Sequence, residues 1–230
     1  MKEKVCLALD VSSRTEALAL VRGLHDLAGM FKVGMQLFTA EGPSLVMEII
    51  EAGGKVFLDL KFHDIPNTVK SAAAEAAKLG VSMMTIHTAG GAAMMQAVSS
   101  ELSEKFGNAK PLVVGVTVLT SLDDKALGEV GVSSSMDAQV LRLAKLAETS
   151  GLDGVVCSPR EIQMIRGAAR RGFKIVTPGI RMPGQSADDQ QRTATPNEAF
   201  AAGTDYIVVG RAVTSAPNPR VAIEAMLQGV

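Results

Sequence analysis

The chain has 230 residues, 47% of them hydrophobic, and its 23 basic and 24 acidic residues give a net charge of −1. This balance, with basic residues spread along the chain, argues against a nucleic-acid-binding protein and favours one that binds a small molecule. The longest apolar stretch, residues 111–120, is about half a membrane span, so we expect a cytoplasmic protein with no membrane partner and with reduced core cysteines at Cys6 and Cys157.

Short apolar runs alternate with longer helical patterns along the whole chain. The predicted strands are residues 4–10, 30–38, 55–62, 82–88, 112–120, 153–158, 173–180 and 206–212. The predicted helices are residues 14–29, 42–54, 68–80, 92–107, 136–151, 160–172, 197–204 and 219–229. Continuously apolar strands are typical of a parallel sheet covered on both faces. Eight such units predict a single-domain α/β protein, a (β/α)8 TIM barrel over residues 1–230, with an open doubly wound sheet as the alternative.

Polar side chains gather at the carboxyl ends of the predicted strands, where the active sites of such barrels lie. In chain order these residues are Asp10, Lys32, Gln36, Asp59, Lys61, His63, Asp64, His87, Thr88, Thr117, Thr120, Ser158, Arg181 and Arg211. Their position on one rim predicts an active-site face.

The third strand runs into the most unusual stretch of the chain, KVFLDLKFHDIPNTVK, residues 55–70. Because side chains alternate along a strand, Asp59 and Lys61 are predicted to share the face that points into the barrel. Lys32 of the second strand adds another cation, and alternating charges of this kind keep one another ionised. An ionised lysine in a dry pocket can donate a proton. The alternative for Asp59 and Lys61 is a buried ion pair that only closes the barrel mouth.

Asp64 has two interpretations. It adds a second carboxylate to this cluster, or Asp64 or Asn67 caps a helix that begins near Thr68. His63 and His87 are interpreted as packed histidines rather than as catalytic groups.

The last two strands end in the glycine-containing segments TPGIRMPG and VVGRAVT, where this architecture often binds phosphate. Gly210 permits close backbone approach, and Arg211 offers a fork of donors. Arg181 and Gln190 belong to the long segment 177–196, which is predicted to close over the ligand as a lid. The alternative is a turn glycine followed by a surface arginine. We therefore expect a phosphorylated metabolite as substrate.

Taken together, these motifs resemble the orotidine 5′-phosphate decarboxylase family from LALD to VVGRAVT, essentially the whole chain. The most specific part is DLKFHDIPNT, residues 59–68, and FKVG, TVLTS, TPGIR and VGRA have the order and spacing of the family. The resemblance implies a carbon–carbon lyase of pyrimidine nucleotide synthesis. It would convert orotidine 5′-monophosphate to uridine 5′-monophosphate and carbon dioxide, with no cofactor and no metal ion.

The resemblance also implies a role for each matching residue. Asp59 would lie against the substrate carboxylate, and Lys61 would protonate carbon 6 of the pyrimidine, with Asp64 and Lys32 completing the catalytic set. The implied substrate-binding residues are Asp10, Lys32, Thr68, Thr120, Arg181, Gln190, Gly210 and Arg211. Asp64 and Thr68 would reach into the partner subunit's site, so the functional unit would be a homodimer.

Two other functions stay open at this point. Magnesium-dependent sugar-phosphate decarboxylases share the Asp-x-Lys-x-x-Asp pattern, but they carry an acidic residue where this chain has Lys32, whose charge would repel a cation. A non-catalytic phosphate-binding barrel would have no need of Asp59 opposite Lys61.

Overall fold

The computed structural model describes residues 1–182 and 193–228, and its centre is a closed barrel. Parallel strands pair in chain order, and the last pairs with the first. The strands are β1 Val5–Ala8, β2 Met30–Gly34, β3 Val56–Phe62, β4 Met83–His87, β5 Leu112–Val116, β6 Gly154–Val156, β7 Lys174–Thr177 and β8 Tyr206–Val209. The predicted (β/α)8 barrel is confirmed, and the open doubly wound sheet is wrong.

Helices follow the strands and surround the barrel. They are α1 Arg14–Leu24, α2 Met35–Glu41, α3 Pro43–Glu51, α4 Pro66–Lys78, α5 Gly91–Phe106, α6 Asp124–Glu129, α7 Met136–Thr149, α8 Ile162–Ala168, α9 Pro196–Ala202, α10 Arg211–Thr214 and α11 Pro219–Gln228. None of the described helices is long and apolar enough to cross a membrane.

Three of these helices were not predicted. The predicted strand over residues 30–38 ends at Gly34, and α2 begins directly after it, because residues 35–38 are good helix formers without β-branching. The predicted strand 206–212 likewise ends at Val209, and its last residues begin α10. The third, α6, lies in the connection after β5, a strand that ends at Val116 rather than at residue 120.

The core has two layers, because strand side chains alternate between the two faces of the barrel wall. Outward side chains such as Leu7 and Val33 pack under the helices in the larger layer. The inner layer fills the barrel with Cys6, Ala8, Met30, Phe57, Met83, Val114, Val176 and Val208. This apolar plug closes the barrel below the carboxyl ends of the strands, so the polar residues above it line a pocket open at one end only.

Both cysteines are free and buried, as predicted. Burial raises the pKa of the Cys6 and Cys157 thiols above the ordinary value, which keeps them protonated and poorly nucleophilic.

Candidate active site

Four charged side chains from the first three strands form one row at the mouth of the barrel. Lys32 Nζ lies 3.3 Å from Asp10 Oδ1 and 3.7 Å from Asp59 Oδ2. Lys61 Nζ donates a hydrogen bond of 2.9 Å to Asp59 Oδ1. We call Asp10, Lys32, Asp59 and Lys61 the charge row. Its signs alternate as predicted, but within one chain the second carboxylate is Asp10 and not Asp64.

Lys32 is the most enclosed cation of the charge row, with 13% of its side chain exposed. Burial by itself lowers the pKa of Lys32, but the Asp59 and Asp10 carboxylates together outweigh burial and raise it above its ordinary value. Lys32 therefore remains an ammonium at physiological pH. Its positive charge lies between the Asp10 and Asp59 carboxylates, which a metal cation at this place would need as ligands. Among the described residues, no group of three or more His, Cys, Asp or Glu side chains is arranged to hold a metal ion.

Strand β3 departs from regular geometry at Lys61. The φ angle of Lys61 is 51°, which makes it the only non-glycine residue with positive φ in the described part of the chain. The pairing of β3 with β4 also shifts register between Leu58 and Phe62. Asp59 and Lys61 nevertheless both line the cavity at the barrel mouth, as predicted, and Leu60 between them packs against the outer core layer. Strained backbone of this kind concentrates at functional sites.

Sequence reasoning missed Thr85, a buried residue of β4 that touches this bulge. Its hydroxyl accepts a 2.8 Å hydrogen bond from the Lys61 backbone N–H and donates one of 3.0 Å to Asp59 Oδ1. The signal was present as a single hydroxyl within the otherwise apolar run MMTI, residues 83–86.

Three of the residues predicted to bind phosphate, Arg181, Gly210 and Arg211, line the same cavity as the charge row. Thr120, which is predicted to contact the base, and Gly179 line it as well. A Cβ at Gly210 would lie 3.2 Å from Asp10 Oδ2, so a larger residue there would crowd the Asp10 carboxylate. Helix α10 begins at the next residue, which places its first amides at the cavity rim.

Two backbone hydrogen bonds join the two ends of the long segment after β7. Gly179 has a φ of 78°, and its carbonyl accepts a 3.2 Å hydrogen bond from the Ala194 N–H. The Arg181 N–H in turn donates to the Ala194 carbonyl at 3.0 Å. These bonds hold Arg181 at the cavity. Gln190 lies outside the described residues, so its predicted phosphate contact and the predicted lid stay predictions.

Asp64 and Thr68 do not join the cavity of their own chain. Residues 63–68 are all exposed, and Asp64 Oδ1 accepts a 2.7 Å hydrogen bond from the Ile65 N–H. Helix α4 begins at Pro66, and its N-cap, Ile65, has no side-chain capping bond. The alternative that Asp64 or Asn67 caps this helix is therefore wrong, because Asp64 precedes the N-cap residue and Asn67 lies within the helix.

His63 and His87 pack against each other beside the charge row, with ring centroids 5.3 Å apart. His87 Nδ1 is buried without a hydrogen-bond partner. Burial lowers the pKa of His87, and the neighbouring His63 and Lys61 lower it further, so this ring is neutral at pH 7.

Comparisons with known proteins agree over almost the full chain. Residues 3–226 match the family model described as Orotidine 5′-phosphate decarboxylase / HUMPS family. The orotidine 5′-phosphate decarboxylase of Moorella thermoacetica is 49% identical over 98% of this chain and 91% of its own, and that of Geobacter sulfurreducens is 48% identical over 100% and 96%. The crystal structure of orotidine 5′-phosphate decarboxylase from Lactobacillus acidophilus superposes with a TM-score of 0.86 at 39% identity, covering 97% of each chain.

Proposed function

Because the chain belongs to the orotidine 5′-phosphate decarboxylase / HUMPS family, we propose that it converts orotidine 5′-monophosphate to uridine 5′-monophosphate and carbon dioxide. The observation that carries the proposal is the position of Asp59 between two ammonium groups, 2.9 Å from Lys61 and 3.7 Å from Lys32. A carboxylate held in this way is a fixed negative charge at the mouth of an otherwise apolar barrel.

Decarboxylation of this substrate is difficult because the electron pair left on carbon 6 is poorly delocalised. The enzymes with the largest rate enhancements lower activation barriers by on the order of 20 kcal/mol. Asp59, with 14% of its side chain exposed, would face the substrate carboxylate where water screens little of their repulsion. That repulsion disappears as neutral carbon dioxide leaves, so it lowers the barrier to the bond-breaking step.

Lys61 would act on the negative charge that develops on carbon 6. As the bond between carbon 6 and the carboxylate breaks, the electron pair stays on carbon 6, and the ammonium of Lys61 stabilises it. Lys61 then gives its proton to carbon 6 and becomes a neutral amine, which regains a proton from solvent. Its side chain is 27% exposed, which is compatible with exchange of that proton once product leaves.

The rest of the cavity would hold the nucleotide. We propose that Asp10 and Lys32 bind the ribose hydroxyls and that Thr120 contacts the base. Arg181, Gly210 and Arg211 would bind the phosphate, together with Gln190. Binding energy from the phosphate, which does not react, would hold the substrate carboxylate against Asp59 despite their repulsion.

We also propose that the functional unit is a homodimer in which Asp64 and Thr68 complete the partner's site. Two features of the single chain support this assembly. Residues 63–68, which lead from β3 into the first turn of α4, are exposed, and the side chain of Ile65 among them is 67% exposed. Covering this apolar side chain with a second copy would remove it from water.

The test is the ultraviolet absorbance change of orotidine 5′-monophosphate with purified protein in excess chelator, with the product identified by chromatography. Stoichiometric uridine 5′-monophosphate is the expected result. Absence of conversion, with magnesium-dependent activity on a sugar phosphate, would replace this function with the magnesium-dependent one. Tight nucleotide binding without turnover would instead favour the non-catalytic barrel.

A further inference from the structure

Thr85 is a polar residue at a buried position, where an unpaired polar group would destabilise the fold. It is 1% exposed, and its neighbours on β4, Met83, Met84 and Ile86, are fully buried apolar side chains. A buried hydroxyl destabilises the fold unless it is hydrogen-bonded, and valine would fill the same volume without that cost. The presence of a threonine at this position therefore calls for an explanation in terms of what its hydroxyl contacts.

The direction of the two hydrogen bonds of Thr85 is determined by chemistry. The Lys61 N–H can only donate, so at 2.8 Å the hydroxyl oxygen of Thr85 must accept. The single hydroxyl proton is then left for Asp59 Oδ1, 3.0 Å away, which as a carboxylate can only accept. The same Asp59 oxygen also accepts the 2.9 Å bond from Lys61 Nζ. Thr85, Asp59 and Lys61 thus form a closed ring of hydrogen bonds.

This ring encloses the strained residue of the site. With a φ of 51°, Lys61 is in the left-handed region, which costs a non-glycine residue of order 1–3 kcal/mol. The register shift between Leu58 and Phe62 interrupts regular pairing of β3 with β4 there, and the Thr85 side chain accepts the Lys61 N–H in place of a strand carbonyl. The hydroxyl satisfies the backbone donor that the bulge exposes, which stabilises this conformation.

We propose that Thr85 is a positioning residue, which holds Lys61 in its left-handed conformation and fixes the Asp59 carboxylate, so that the ammonium of Lys61 points into the cavity. Its catalytic consequence rests on the proposed function. Thr85 acts through these two residues and contacts no substrate atom itself. It should therefore affect the reaction step more than nucleotide binding.

The first experiment compares Thr85→Val with Thr85→Ser in steady-state decarboxylation. Valine keeps the volume and removes the hydroxyl, so kcat is expected to fall about 10- to 100-fold while KM changes less than about 3-fold. Serine restores the hydroxyl and is expected to return kcat to within about 3-fold of the original. If Thr85→Val does not fold, Thr85→Ala removes the same hydroxyl without adding a methyl group.

Thr204→Val is the matched control. Thr204 precedes β8 at the end of the barrel opposite the site, is 5% exposed, and donates a 3.0 Å hydrogen bond to the Ile175 carbonyl. Thr204→Val also removes a buried hydroxyl, so it should lower the free energy of unfolding but leave kcat nearly unchanged. An unchanged kcat in Thr85→Val, or equal loss of kcat in Thr85→Val, Thr85→Ser and Thr204→Val, would overturn the positioning role.

A crystal structure of Thr85→Val separates this inference from the proposed function. We expect Lys61 to leave positive φ and its Nζ to move out of hydrogen-bond distance of Asp59 Oδ1. If both are retained, the inference is wrong whatever the enzyme does. If instead the unaltered protein does not decarboxylate orotidine 5′-monophosphate, the proposed function is wrong, and the position of Lys61 in the variant still decides the role of Thr85.

Discussion

Asp59 is the residue at which the interactions of the site meet. One of its oxygens accepts from both Lys61 Nζ and the Thr85 hydroxyl, and the other lies 3.7 Å from Lys32 Nζ. A carboxylate with this many donors has little freedom to rotate away from an approaching anion. The same contacts therefore hold the Asp59 carboxylate where its repulsion of a substrate carboxylate would be greatest.

Replacing Lys61 with alanine tests its role as proton donor. We expect kcat to fall by about 100- to 10,000-fold, because a positioned general acid typically contributes that much. Uridine 5′-monophosphate should still bind, measured by calorimetry, since the residues proposed to bind its phosphate are unaltered. Lys78→Ala is the control, because Lys78 pairs with Glu75 at 2.7 Å on the surface of α4. Retained turnover in Lys61→Ala would remove Lys61 as the donor.

His87 is expected to make the fold sensitive to mild acid. Its pKa is lowered in the folded protein by burial, His63 and Lys61, so below about pH 6.5 the unfolded chain takes up a proton that the folded chain does not. Stability is present above that pH and is lost as the pH falls toward the folded pKa of His87.

Urea unfolding of the unaltered protein and of His87→Gln, at about pH 7 and about pH 5.5, measures this effect. The unaltered protein should lose more unfolding free energy between the two pH values than the variant does. His25→Gln controls for replacing a histidine on the surface, because His25 is exposed after α1. Equal losses in the unaltered protein and His87→Gln would show that another group governs the acid response.

At the scale of elements, two aspartates make the same kind of contact at the end of the barrel opposite the site. Asp153, just before β6, accepts a 2.8 Å hydrogen bond from the Val113 N–H and pairs with Lys110. Asp205, just before β8, accepts a 2.9 Å bond from the Ile175 N–H and pairs with Arg166. Each aspartate ties the start of its strand to the start of the preceding one. These contacts lie at the end of the barrel opposite the candidate active site.

Two glycines of the framework are predicted to respond in opposite ways to alanine. Gly167 is an exposed residue of α8 with open space around its Cβ position, so Gly167→Ala should raise the free energy of unfolding by about 0.5–1 kcal/mol. A Cβ at Gly154 of β6 would lie 2.3 Å from the Lys174 carbonyl oxygen, so Gly154→Ala should lower it by about 1–3 kcal/mol. Denaturant titration measures both, and a tolerated Gly154→Ala would contradict the close approach of β6 to β7.

For the whole molecule, the prediction concerns whether one chain contains a complete site. The charge row, Arg181, Gly210 and Arg211 line one cavity of one barrel, whereas the exposed residues Asp64 and Thr68 are not among the residues that line it. The homodimer proposal makes residues 63–68 part of the neighbouring site.

Coexpression of two inactive variants, Lys61→Ala and Asp64→Ala, tests shared sites. In a mixed dimer with shared sites, one site has both altered residues and the other has neither, so about a quarter of the original activity should return under random pairing. Each variant purified by itself is the control. If Asp64 acts within its own chain, or if the protein is an active monomer, mixing the variants restores nothing.

Local sequence pattern determined most of the fold. Apolar runs, helical periodicity and glycine stops are properties of neighbouring residues, and they predicted every barrel strand and the placement of polar residues at the carboxyl ends. They failed at residues 35–38, Met-Gln-Leu-Phe after Gly34, since a short run without β-branching can continue a strand or begin a helix equally well.

Tertiary structure decided which side chains meet. The sequence by itself determined the barrel and most of the candidate site residues, because those follow from hydrophobic pattern and from motifs. It did not determine that Asp10 joins Lys32, that Lys61 has positive φ, or that Thr85 bonds Asp59. These contacts depend on barrel closure and on one register shift between β3 and β4, and residues 26 positions apart, such as Thr85 and Asp59, carry no local signal of their pairing.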